Sequence, residues 1–184
     1  ERSRYLLVEN RKVENYVDMA LYYARMDAVY KDYMIAETNL QEVAQQVLLQ
    51  NKYYLIQSHV KAEVACPDTV YSDKKWIAFI LNQLIQNSVK YGRSEGTHIQ
   101  IVTKKTKSGV LLRVKDDGIG IPKEEIPRIF EKGFTGTNGR NRERSTGMGL
   151  YLCRKLCDKL NIEIRAESAE GKGTEIILMF PVSD

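Results

Sequence analysis

The segment Asn82-Gln83-Leu84-Ile85-Gln86-Asn87-Ser88-Val89-Lys90-Tyr91 closes an apolar run that begins at Trp76. Trp76, Ile77, Phe79, Ile80, Leu84, Ile85 and Val89 recur at helical intervals, which predicts a long helix through about Tyr91 with Ser72 as its cap. Gln83 and Asn87, four apart, share one face of that helix, as do Asn87 and Tyr91. Side-chain amides on an otherwise apolar helix need partners, because a buried amide left unpaired costs about 1–3 kcal/mol. A metal with its water shell or a phosphate supplies such partners, and so does neighbouring backbone. Both readings stay open on these residues alone.

Working outward, the chain alternates helical and extended patterns. Tyr33–Ala36 reads as a brief strand, and Thr38-x-x-Gln41 reads as a capping box opening a helix through about Gln50. Ile56–Val64 alternates like a strand. After the long helix come strands at about His98–Thr103 and Val110–Lys115, then a helix from about Gly149 to Leu160. Two last strands, Ile162–Glu167 and Thr174–Phe180, are joined by a turn around Glu170–Gly173. Helices interleaved with strands and a strand pair at the end predict a two-layer α/β sandwich, one helical layer on a mixed sheet.

Toward the N-terminus, Leu6, Val13, Val17, Ala20 and Ala24 follow heptad spacing with charged residues between them. So narrow an apolar seam suits a helix of a bundle or coiled coil; an amphipathic helix of the main domain fits the same spacing.

Composition narrows the classes. The chain has 184 residues, 43% of them hydrophobic, enough for one domain of ordinary size plus an appendage. Its 28 basic and 24 acidic residues nearly balance, so a net charge of +4 describes a mixed surface and not one built for nucleic acid. Cys66, Cys153 and Cys157 form no CxxC and have no His at metal-ligand spacing, which fits a reducing compartment. No apolar run approaches the roughly 20 residues that span a bilayer. The chain starts at Glu1 without methionine, so it is expected to be an excised piece whose remainder could hold membrane helices.

Three further segments bear on chemistry. Lys115-Asp116-Asp117-Gly118-Ile119-Gly120-Ile121 follows a strand: a carboxylate there can accept from an exocyclic amine, and two glycines let backbone approach a flat ligand. Asp-Gly is also ordinary turn chemistry. Ser145-Thr146-Gly147-Met148-Gly149-Leu150 opens a helix, where exposed N–H groups can cradle phosphate. Gly171-Lys172-Gly173-Thr174 reads as a hairpin turn, and no GxxxxGK[ST] loop occurs. Between the second and third segments, Lys132–Thr146 is rich in Gly, Thr, Asn and Arg and lacks apolar periodicity, as a functional loop does.

In order and spacing these segments, with Phe130 and Phe134, resemble the N, G1, F and G2 boxes and final glycine turn of the GHKL ATP-binding fold, specifically in sensor histidine kinases. The resemblance covers roughly residues 38–182. Residues 9–26 resemble the second helix of the family's dimerisation and phosphotransfer domain, which implies a helix in residues 1–30 and an ATP-binding catalytic domain in 31–184. The wording of Trp76 through Tyr91 looks like kinases paired with peptide-antibiotic ABC transporters. What the resemblance implies is a cytoplasmic kinase domain, in a full-length protein of the plasma membrane, that binds Mg-ATP and phosphorylates a histidine absent from this chain. Its partners would be a response regulator, a second copy of the full-length protein and such a transporter, with no nucleic acid. Asn87 would hold Mg²⁺, while Lys90 and Tyr91 would meet phosphate or ribose. Asp116 would hold the adenine amine, with Gly118, Gly120 and Ile121 shaping that pocket and Thr174 reaching an adenine-side water. Gly147, Met148, Gly149 and Leu150 would offer N–H groups to phosphate. Lys132 would start an ATP lid running to Thr146, in which Arg140, Arg142 and Arg144 could touch the γ-phosphate.

One departure matters. Hydrolysing relatives in the wider fold carry Glu four residues before the metal-binding Asn, whereas this chain has Gln83, which cannot accept a proton. Slow water attack and transfer to a protein nucleophile are therefore expected, with Gln83 and Asn87 as the catalytic pair of positions. The rival readings are a GHKL clamp ATPase, which would need Glu at 83 and a downstream domain, a pseudo-kinase, and an anti-sigma-type serine kinase, which needs no heptad helix. His59 and His98, the only histidines, read as structural residues in strand-like segments.

Overall fold

The structure, a computed structural model, describes residues 34–136 and 149–182, together with Arg2, Ser3, Leu6 and Ala20. The chain divides into two compact units, Glu1–Tyr33 and Met34–Asp184. Leu6 and Ala20 are helical, and the other seam positions, Val13, Val17 and Ala24, lie outside the described residues.

In the second unit, strand β1 (Ala36–Asn39) leads into helix α1 (Leu40–Gln50) and the short helix α2 (Lys52–Gln57). Strands β2 (Val60–Ala65) and β3 (Thr69–Ser72) precede the long helix α3 (Lys74–Lys90). Strands β4 (Thr97–Thr106) and β5 (Gly109–Asp116) follow, then a 3-10 turn at Ile126–Arg128, helix α4 (Gly149–Lys159) and strands β6 (Glu163–Ala169) and β7 (Gly173–Pro181). Five strands form one sheet in the order β2-β4-β5-β7-β6, parallel only between β2 and β4, while β1 and β3 pair separately.

The alternation in β4, β5 and β7 puts Ile99, Ile101, Leu112, Val114, Ile176 and Leu178 into the core. Against them lies α3, with Trp76, Ile77, Ile80, Leu81, Leu84 and Ile85 at most 1% exposed. Each such side chain contributes about 1.5–3 kcal/mol by leaving water. α3 is flanked by α1 and by α4, whose Leu152, Cys153, Leu156 and Cys157 are also buried. The expected two-layer sandwich is thus the observed one.

Several local expectations shift. The first strand begins at Ala36, and Tyr33 lies outside the described residues. The predicted capping box does not form: Asn39 caps α1 by accepting from Glu42 N (3.2 Å), Thr38 donates to Ser72 O across the β1–β3 pair (3.2 Å), and Gln41 Oε1 accepts from Cys66 N (2.7 Å). Likewise Asp73 caps α3, its Oδ1 accepting from Lys75 N (2.9 Å) and Trp76 N (3.2 Å), while Ser72 ends β3. Ile56 belongs to α2, a turn that buries only Leu55; His59, at φ 56°, reverses the chain before β2 begins at Val60. Thus His59 is not in a strand, whereas His98 is in β4. Among the described residues, no helix is long and apolar enough to cross a membrane.

Candidate functional site

Antiparallel pairing sets Asp116 at the end of β5 opposite Thr174 at the start of β7. Asp116 is 7% exposed, and its Oδ1 accepts from Gly118 N (2.9 Å) and Thr174 N (3.2 Å). Burial raises the carboxyl above the usual aspartate range; hydrogen bonds from Ser88, Gly118 and Thr174 oppose that rise, and Asp117 adds to it. No Lys or Arg forms an ion pair with Asp116 among the described residues. A buried carboxylate held by neutral donors and lacking a cationic partner suits the exocyclic amine of a base.

The turn after β5 is built for close approach. A Cβ at Gly118 would overlap the Tyr91 carbonyl and stand 3.0 Å from Asp116 Oδ1. Gly120 has φ 74°, where only Gly is unstrained, and a Cβ there would overlap the Ala169 carbonyl. Between them Ile119 donates to Tyr91 O (3.0 Å) and accepts from Gly171 N (2.8 Å), lashing the turn to the end of α3 and to the β6–β7 turn. Ile121 N donates to Ser168 Oγ (2.9 Å), which donates to Gly173 O (2.7 Å) and lies 2.9 Å from Thr174 Oγ1.

Helix α3 sorts its amides by face. Asn82 Oδ1 accepts from Asn51 Nδ2 (2.7 Å) and Gln86 Nε2 (3.4 Å), so that face satisfies itself within the protein. The Gln83 and Asn87 face shows no such side-chain pairing among the described residues. Gln83 is 7% exposed and its Oε1 would lie 2.9 Å from a Cβ on Gly149, the first residue of α4. Asn87 is half-buried, and its side-chain amide has no hydrogen-bond partner among the described residues. Ser88, one residue on, bonds Asp116. One helix therefore touches the carboxylate through Ser88 and the α4 N-terminus through Gln83. Lys90, whose ammonium lies 5.6 Å from the Tyr91 ring centroid, is half-buried, and burial lowers its pKa below the usual lysine range.

Of the expected site residues, Asp116, Gly118, Thr174 and Tyr91 meet in one cluster, Ile121 is tied to it through Ser168 and Gly120 packs on Ala169, while Gln83 meets Gly149 separately and Asn87 and Lys90 lie on α3. Leu150 is half-buried in the first turn of α4, and Lys132 is exposed in the turn after Phe130. Gly147, Met148, Arg140, Arg142 and Arg144 lie outside the described residues. Phe130 sits under Arg154 of α4 (5.6 Å) and Phe134 under Arg128 (4.6 Å), so cation–π contacts anchor the start of the Lys132–Thr146 loop. Sequence reading missed Ser88, Ser168 and Arg93. A lone Ser or Arg between turn residues carries no local signal, since its partners lie far along the chain.

The family described as histidine kinase-, DNA gyrase B- and HSP90-like ATPase matches residues 72–184. Sensor histidine kinase YxdK of Bacillus subtilis (strain 168) is 34% identical over 174 residues, 94% of this chain and 54% of that protein. Sensor protein kinase GraS of Staphylococcus aureus (strain JH1) is 36% identical over 189 residues, 100% of this chain and 53% of that protein. The chain spans about half the length of these curated relatives. Among solved structures, the nucleotide-free catalytic domain of histidine kinase ThkA superposes with a TM-score of 0.69 at 26% identity, covering 80% of this chain and 97% of that one. ThkA in complex with response regulator protein TrrA superposes at 0.70 with 19% identity, over 98% of this chain and 51% of that one, a likeness of fold. With its buried carboxylate, paired glycine turns and amide-bearing helix at one end of the sheet, the chain belongs to the histidine kinase-, DNA gyrase B- and HSP90-like ATPases, its curated relatives being sensor histidine kinases.

Proposed function

We propose that this chain serves a two-component sensor histidine kinase as the part that binds Mg-ATP and presents its γ-phosphate to a histidine. The observation that carries this reading is the double contact of α3, with Ser88 on Asp116 and Gln83 against Gly149. A nucleotide whose base meets Asp116 and whose phosphates meet the α4 N-terminus must pass along the Asn87 face between them. Asn87, half-buried and without a described partner, fits Mg²⁺, which when bound neutralises phosphate charge. Lys90 and Tyr91 would border the phosphates or ribose, and Gly147, Met148, Gly149 and Leu150 would donate N–H groups. Gln83 offers no base for water, which favours transfer to a protein nucleophile over hydrolysis.

The acceptor is then a histidine other than His59, fixed in a reversing turn, and His98, whose Nε2 lies 3.3 Å from Glu63 in the sheet. Residues 1–30 would supply a helix of the dimerisation domain, supported by the heptad spacing and by the full-length match of this chain to GraS. In the whole protein, a homodimer in the plasma membrane with this part in the cytoplasm, the phosphoryl group would pass to a response regulator. An ABC transporter as a further partner rests on the wording of Trp76–Tyr91 alone.

Isothermal titration with ADP, with and without Mg²⁺, tests the site. Binding should require Asp116, and Asn87→Ala should remove the gain from Mg²⁺. Wild-type protein that fails to bind ADP, or a folded Asp116→Ala variant that binds as well, would sink the reading.

A further inference from the structure

Arg93 lies outside every segment that resembles the family's boxes, yet its guanidinium reaches three backbone carbonyls. Nε donates to Asp117 O (3.0 Å), and Nη2 donates to Gly118 O (3.3 Å) and Gly171 O (2.6 Å). The first two belong to the turn that follows Asp116, and the third to the β6–β7 turn. Its own backbone is pinned: Arg93 N donates to Thr97 Oγ1 (2.7 Å), and its carbonyl accepts from Gly96 N (3.1 Å). A Cβ at the preceding Gly92 would come 2.5 Å from Thr97 Oγ1, so α3 ends hard against β4 and aims Arg93 from a fixed base.

These bonds take two carbonyls of the turn, those of Asp117 and Gly118, that accept no backbone N–H among the described residues. Ile119 is held from both sides, by Tyr91 O and Gly171 N, and Asp117 Oδ1 accepts from His98 N (2.7 Å), but the carbonyls of Asp117 and Gly118 point to Arg93. Charged donors make the stronger class of hydrogen bond, and a planar fork fixes direction as well as distance. Arg93 has no carboxylate in ion-pair contact among the described residues, and its Nε and Nη2 donate to peptide oxygens instead. Asp117 and Gly118 immediately follow Asp116, whose Oδ1 bonds Gly118 N, so a shift of their carbonyls moves the carboxylate.

We propose that Arg93 is a positioning residue for base recognition: by tying the turn after Asp116 to the β6–β7 turn, it holds the Asp116 carboxylate at the orientation that selects adenine. This rests on the nucleotide-site reading above. Arg93 acts through Asp116 and is not assigned a contact with the nucleotide.

The test is titration of the full chain with ADP and with GDP, comparing wild type, Arg93→Ala and Arg93→Lys, with Arg165→Ala on the outer face of the sheet as control. Arg93→Ala should weaken ADP binding about tenfold, equivalent to about 1.4 kcal/mol, and reduce the preference for ADP over GDP by a similar factor. Arg93→Lys, which keeps the charge without the fork, should fall between. If Arg93→Ala does not fold, Arg93→Lys carries the test through the same two readouts. Unchanged affinity and selectivity in a folded variant, or an equal loss for ADP and GDP, overturns the proposal. Wild-type protein that binds no ADP would instead refute the underlying site.

Discussion

Asp116 Oδ1 accepts the backbone N–H of Thr174 at 3.2 Å across 58 residues of chain, joining the end of β5 to the final glycine turn. The same oxygen takes Gly118 N, so one carboxylate organises two turns while remaining buried. Gly173 makes this approach possible: at φ 105°, any Cβ there would overlap the Asp116 carbonyl.

This arrangement sets function against stability. Burial raises the pKa of Asp116 in the folded protein above its unfolded value of about 3.9. An acid shifted upward favours the fold below its unfolded pKa, and that contribution is lost as pH rises through the folded pKa. Asp116→Asn keeps an oxygen for Gly118 and Thr174 but removes the buried charge. Its melting temperature relative to wild type should be more favourable at pH 7 than at pH 4, while ADP binding is lost. Thermal melts at the two pH values check this, and a difference of the opposite sign contradicts it.

Two glycines should separate cleanly. At Gly149 the obstacle to a Cβ is Gln83 Oε1 at 2.9 Å, the far end of a flexible side chain, so Gly149→Ala should change stability by less than about 1 kcal/mol. Displacing Gln83 at the α4 N-terminus should nonetheless weaken nucleotide binding. At Gly120 the obstacle is the Ala169 backbone and φ is 74°, so Gly120→Ala should cost at least about 1–2 kcal/mol as well as affinity. Denaturant melts paired with titration distinguish the two.

The thiols are expected to be inert in the folded protein. Burial pushes Cys66 up to about 11 and Cys157 up to about 12, and raises Cys153 well above the usual thiol value. All three are buried and unpaired. The thiolate is the reacting species, so an alkylating reagent at pH 7.5 should leave native protein unmodified and label all three in denaturant. Mass spectrometry of intact protein reads the count, and rapid labelling of native protein would contradict the burial of these thiols.

The sequence by itself determined α3, the strands β4 and β5, the β6–β7 pair and the positions of the glycine turns, because helical and strand periodicity and glycine punctuation are local. It also marked Asp116 and Asn87, whose residue types at those spacings carry the resemblance. The tertiary structure decided what depends on distant partners. Thr38 and Ser72 look like helix caps, but β1–β3 pairing takes both into a strand pair and leaves capping to Asn39 and Asp73. Gln86 and Asn87 are neighbours on one helix; only the placement of Asn51 shows that the first faces partners within the protein, while the second has none among the described residues. Arg93 carries no local signal in its Gly-Arg-Ser-Glu-Gly loop, because its carbonyl partners lie 24, 25 and 78 residues away. Periodicity is written in nearest neighbours, whereas a hydrogen bond to a remote carbonyl exists only once the sheet has closed and brought the two segments together.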